Sequence, residues 1–241
     1  MAKVNETGHA VNVDNLLVLI SICTGYGNTY NPSKSSITLT ALNALHTNSR
    51  AALQEVNNNI VNYGNAINAR RVLYDGIKPL ATRLVNALQA TDAPKAMIDD
   101  AKGFNRKIQG VRAQKIDANT APDAKNVSSS QQSFTQMVEH VSKLVALLAS
   151  EPSYNPNETE LKITTLNAFV ANLYAANLSV TNAYTSITNS RIARNELLYN
   201  PTTGIHNFSL EVKNYVKSLF GATSPQYKQI SGLKFTNPSK I

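Results

Sequence analysis

His9, His46, His140, His206 and Cys23 are the side chains of this 241-residue chain best suited to metal ligation, nucleophilic attack or proton transfer. A di-iron bundle needs inward-facing Glu residues and a Glu-x-x-His pair on each of two helices, because carboxylates and imidazoles share the bridged ions. That double set is not in the sequence. Glu139 and His140 are adjacent, so on a helix they point to different faces. Cys23 stands alone inside the apolar run LLVLISIC, which rules out an intramolecular disulfide and a zinc site built from several thiolates. Its expected role is that of a small buried hydrophobe and not of a nucleophile. There is no Gly-x-Ser-x-Gly elbow. Gly25-Tyr26-Gly27 resembles a phosphate loop only superficially, lacking the following Gly-Lys-Ser/Thr, and reads as a helix-ending turn. Asp99-Asp100 is a pair of neighbouring carboxylates, but Lys95 and Lys102 beside it point to a solvated charged face. The chain is therefore expected not to be an enzyme, with no catalytic, cofactor-binding or metal-ligating residue assigned and no cofactor.

Charge leaves a second class open. Lys and Arg outnumber Asp and Glu by 23 to 15, a formal net charge of +8. Arg106, Lys107, Arg112 and Lys115 fall in the basic, polar stretch NRKIQGVRAQKIDANTAPDAK and are the candidate nucleic-acid contacts, since phosphates attract Lys and Arg with little sequence information. No zinc finger or RNA-binding motif accompanies them.

The elements that must position these residues show an internal correspondence. Tyr30-Asn31-Pro32 precedes ITLTALNAL (residues 37–45), and Tyr154-Asn155-Pro156 precedes LKITTLNAF (residues 161–169), 124 positions later. This repeat signature suggests that the tyrosine packs on a bundle end while Asn caps an entering helix, with Pro in the first turn. Behind it, Leu39, Leu42, His46, Ser49, Leu53, Val56, Ile60, Tyr63, Ile67, Arg70 and Tyr74 step by three and four, the seam of a long packed helix. The same register gives Ile163, Leu166, Val170, Leu173, Asn177, Val180, Tyr184, Ile187, Arg191, Arg194 and Leu198. Arg70 and Arg194 coincide, and an Arg on an apolar seam should be paired or should extend its head to water. A helix precedes each signature, beginning behind Asp14 in the first half, and a medium and a short helix follow each long one. No stretch alternates as a strand would.

The stretches NETGHAVNVDNLLVLISICTGYGNTYNPSKSSI and NRKIQGVRAQ resemble a family of uncharacterised bacterial proteins. The resemblance implies a duplicated helical unit and brings no activity, cofactor or site residue with it.

The expected fold is all-α: two sequence-related helical-bundle halves, each built on one long helix. The divisions are an N-terminal arm (1–15), a first helical repeat (16–104), a basic polar linker (105–126), a second repeat (127–235) and a C-terminal tail (236–241). A helix of about 40 residues would be about 60 Å long, which favours packing against the other half or another molecule. The expected function is a non-enzymatic structural or scaffolding protein that self-associates into a homo-oligomer or higher assembly. The alternative is a basic nucleic-acid-associated protein, and a third reading is an enzyme or carrier using the space between the halves. The apolar run 16–23 is too short to span a bilayer and lacks a basic lead, so a cytoplasmic location is expected.

Overall fold

A computed structural model describes residues 7–110 and 132–237. Among them are α1 (Thr7–Gly25), α2 (Leu39–Asp75), α3 (Ile77–Gln89), α4 (Lys95–Gln109), α5 (Phe134–Ala149), α6 (Ile163–Tyr199), α7 (Ile205–Phe220) and α8 (Pro225–Ser231), with no strand. The all-α reading holds for these residues.

Two compact units form. One comprises Met1–Asn62 with Tyr184–Ile241, the other Tyr63–Ala183. Their boundaries cut both long helices, so each unit takes its pieces from both halves of the sequence. In the first unit, α1 packs on α7 and α8. Its core joins Leu16, Leu19 and Cys23 to Ile37, Leu42, Leu198, Ile205, Val212, Val216 and Ile230. In the second, α3, α4 and α5 pack on one another. Ile77, Leu84, Leu88, Ala101, Ile108, Leu144 and Leu148 form that core with Leu161, Leu166 and Leu173.

The seam reading of the long helices is met in burial. Leu42, Ser49 and Val56 are buried seven residues apart on α2, as are Leu166, Leu173, Val180, Ile187 and Arg194 on α6. Ile60 and Tyr184 are the exposed seam positions. Both helices are 37 residues long and begin 124 positions apart, at Leu39 and Ile163. Only Gly76 separates α2 from α3, whereas residues 200–204 separate α6 from α7. The correspondence therefore shifts to 128 positions, which aligns the buried pairs Ile77/Ile205, Leu84/Val212 and Leu88/Val216. In the longer connection, the Asn200 carboxamide oxygen accepts from the Thr202 and Thr203 amides. A Cβ on Gly204 would come within 2.7 Å of the Asn200 backbone, so this turn needs a glycine.

Three expectations change. The helix predicted to start behind Asp14 begins at Thr7, inside the expected arm, because its polar turns have tertiary partners. Buried Asn12 accepts from the Thr236 amide (2.9 Å) and donates to the Thr236 carbonyl (2.7 Å), tying α1 to the start of the expected tail. The expected linker at 105 is still helical: α4 runs on to Gln109 and ends at Gly110, whose φ of 76° supplies the left-handed cap. Ile108 lies two turns beyond Ala101 on the buried face and carries the helix onward.

The third change concerns Tyr-Asn-Pro. Neither Asn caps a helix. The cap of α2 is Thr38, whose hydroxyl accepts from the Ala41 amide at 3.3 Å. The tyrosine instead closes a loop. Tyr30 donates to the Ile37 carbonyl at 2.7 Å and Tyr154 to the Leu161 carbonyl at 3.0 Å, both buried and both seven residues on. Removing the hydroxyl orphans a buried carbonyl, a loss of about 1–3 kcal/mol. Tyr30→Phe and Tyr154→Phe should each lower stability by about that much in urea titrations; an unchanged midpoint for both would show the loops close without the bond.

Candidate functional site

The residues singled out for chemistry are dispersed. Among the described residues no three His, Cys, Asp or Glu side chains gather as a metal would require. One Glu-x-x-His spacing does occur, Glu6 with His9. Glu6 lies outside the described residues, and His9 Nδ1 is hydrogen-bonded to the Tyr199 hydroxyl at 2.6 Å. Asn12 Nδ2 also donates to that hydroxyl, at 3.2 Å. Cys23 is fully buried, and burial pushes its thiol up to about 12, far from the thiolate a nucleophile needs. Asp99 and Asp100 are exposed on α4. Gly25 ends α1 and Gly27 turns the chain with a φ of 58°. No helix among the described residues is long and apolar enough to cross a membrane.

Of the candidate nucleic-acid contacts, Arg106 and Lys107 lie exposed on the last turn of α4, where their charge also suits the carbonyl end of the helix. Arg112 and Lys115 lie outside the described residues. The two seam arginines part company. Arg70 is half-buried with its guanidinium 3.8 Å from the Phe134 ring centroid, while Tyr74 donates to the Phe134 carbonyl. Arg194 is buried and donates through Nε and Nη2 to the Asn195 carboxamide oxygen.

The two Tyr-Asn-Pro loops are the most organised polar sites, and sequence spacing alone located them. In the first unit, the turn at residues 35–37 packs on α7. Tyr215 of α7 meets Tyr30 edge-on, with ring centroids 5.3 Å apart, and its hydroxyl accepts from the Asn31 amide at 3.2 Å. Lys34 pairs with Glu211 at 2.6 Å. In the second unit the loop lies beside α3, and the pair is Arg83–Glu160, also 2.6 Å. Glu211 and Arg83 occupy corresponding helix positions, 128 apart, with opposite charges. Each loop thus meets a helix residue of opposite charge. Packed on the helix of its own half, Lys34 would face Arg83, and Glu160 would face Glu211. Exposed pairs contribute only about 0–1 kcal/mol each, but like charges there would penalise the other pairing.

Sequence spacing singled out His140 but not its burial without a partner. It is buried on α5, and neither ring nitrogen has a partner among the described residues. Burial first, then the Lys107 and Lys143 charges, hold its pKa below the usual 6.5, against a smaller opposing effect of Glu139. Glu139 itself accepts from the Tyr174 hydroxyl at 2.7 Å. A base whose folded pKa is depressed binds its proton more readily when unfolded. Stability from His140 is therefore complete above pH 6.5 and falls as pH drops through that value toward the folded pKa. Urea midpoints across pH 7.5 to about 5 should show this decline, and His140→Leu should flatten it; an equal slope in the variant would assign the decline to other groups.

No protein-family model, curated protein or solved structure matches the chain.

Proposed function

We propose that this chain is a non-enzymatic structural or scaffolding protein that self-associates through its long helices. The observation that carries the reading is apolar surface left in water on those helices. Val72 is 74% exposed on α2, and Leu178 and Ile192 are 59% and 63% exposed on α6. Val61 and Tyr174 add to it. A single exposed valine is ordinary, but large apolar side chains recurring on the two longest elements favour a protein partner. The matching lengths of α2 and α6 and the repeated tyrosine bonds support an internal duplication, which would offer such surface twice. The groups best suited to chemistry have structural roles in this reading: Cys23 fills a core, and Tyr30 and Tyr154 close loops.

Sedimentation velocity across a wide concentration range should give masses above the 26.2 kDa of one chain. Val72→Asn with Ile192→Asn should shift the distribution toward that mass without unfolding either core. A 26.2 kDa species at every concentration would end the proposal.

Arg106 and Lys107, side by side and exposed, favour nucleic-acid association as a second reading. It predicts retention of mixed DNA and RNA at low salt, with the slope of log K against log salt falling by about one for each phosphate-contacting cation neutralised. Retention that is unchanged by neutralising Arg106 and Lys107 would remove them as contacts.

A further inference from the structure

The helices that face the two Tyr-Asn-Pro loops differ at one position in a way that leaves a hole. In the first unit the ring of Tyr215 lies against Tyr30. The corresponding residue on α3, 128 positions earlier, is Ala87. Beside it the second unit holds an open recess of about 520 Å³, lined by Arg83, Ala87, Thr91, Tyr154, Pro156 and Leu161. The buried neighbours of the recess keep their counterparts: Leu84 stands for Val212, Leu88 for Val216, and Leu161 for Ile37. The buried apolar floor is thus alike in the two units, while the ring that lies over one of them is absent from the other.

The polar end of the recess differs in the same way. The Asn31 amide donates to the Tyr215 hydroxyl, whereas the Asn155 amide turns back to the Ser153 carbonyl, two residues away, at 3.1 Å. A bond over so short a span closes a tight turn with little room for good alignment. A phenol oxygen entering where Tyr215 reaches in the first unit would offer that amide the acceptor that Asn31 has.

We propose that the recess between α3 and the Tyr154 loop is a binding site for a single hydroxyphenyl ring. Such a ring would lie edge-on to Tyr154, over Ala87, with its oxygen toward the Asn155 amide. Edge-to-face geometry is one of the two favoured aromatic arrangements. The ring could belong to a small phenol or to a tyrosine of a protein partner. The site is independent of the assembly reading, because its residues are not the exposed apolar ones of the long helices.

The test uses ¹⁵N-labelled full-length protein titrated with p-cresol, toluene and N-acetyltyrosinamide. Millimolar p-cresol should shift the Ala87 and Asn155 amides, and toluene, lacking the hydroxyl, should move Asn155 less. Ala87→Tyr should fill the recess, abolish the p-cresol response and raise the melting temperature. Ala87→Leu, which blocks the recess with a smaller apolar side chain, should abolish the response as well and serves if the tyrosine variant does not fold. A response to N-acetyltyrosinamide as strong as that to p-cresol assigns the site to a partner's tyrosine, and a response to p-cresol alone assigns it to small phenols. No shift at Ala87 or Asn155 with either phenol, or shifts that persist in both variants, would overturn the proposal.

Discussion

A 37-residue helix, about 55 Å at 1.5 Å per residue, carries more apolar seam than one small core can cover. Both long helices meet this constraint in the same way, by giving one stretch to each of two cores. The seam of α6 keeps a seven-residue step from Leu166 to Arg194 while passing from the core of one unit to that of the other. Everything shorter is arranged around this. Helices α1, α7 and α8 close one core, and α3, α4 and α5 close the other.

Such sharing requires each half of the chain to find the helices of the other half. Burial does little to choose, because Ile77, Leu84 and Leu88 of α3 present much the same apolar face as Ile205, Val212 and Val216 of α7. Tyr215, which meets Tyr30 and accepts from the Asn31 amide, has only Ala87 as its counterpart, and the exposed edge adds to that difference. Lys34 meets Glu211 and Glu160 meets Arg83, so the exchanged pairing is attractive twice and the alternative repulsive twice. Weak surface pairs add specificity where the apolar faces are otherwise similar.

Several buried polar groups are matched by a partner. Tyr30 and Tyr154 are buried with their hydroxyls on carbonyls, and burial pushes both phenols up, Tyr154 to about 12. Asn12 spends both ends of its carboxamide on the Thr236 backbone. His140 has no partner on either ring nitrogen among the described residues, and its burial holds its pKa below the usual 6.5, so protonating it disfavours the fold. The recess beside Tyr154 lacks a partner in another way, as a site built for a ring that the chain supplies only once.

The all-helical class, the seam and the two tyrosine loops could be read from spacing, because period and offset are properties of the chain itself. Leu42, Val56, Leu166 and Leu173 were legible as core for that reason. Whatever depends on residues distant in sequence was not. Thr7–Asp14 looks polar and loop-like until Thr236 and Tyr199 supply partners for Asn12 and His9. Tyr-Asn-Pro reads as a helix start until the tyrosine is seen bonding a carbonyl seven residues on. The sequence by itself determined that the chain would be helical, with two long helices of the same seam period. Only the tertiary structure decided which set of partners each helix end would take, because the two sets share one period and the contacts that separate them, Tyr30 with Tyr215 and Lys34 with Glu211, join residues more than a hundred positions apart.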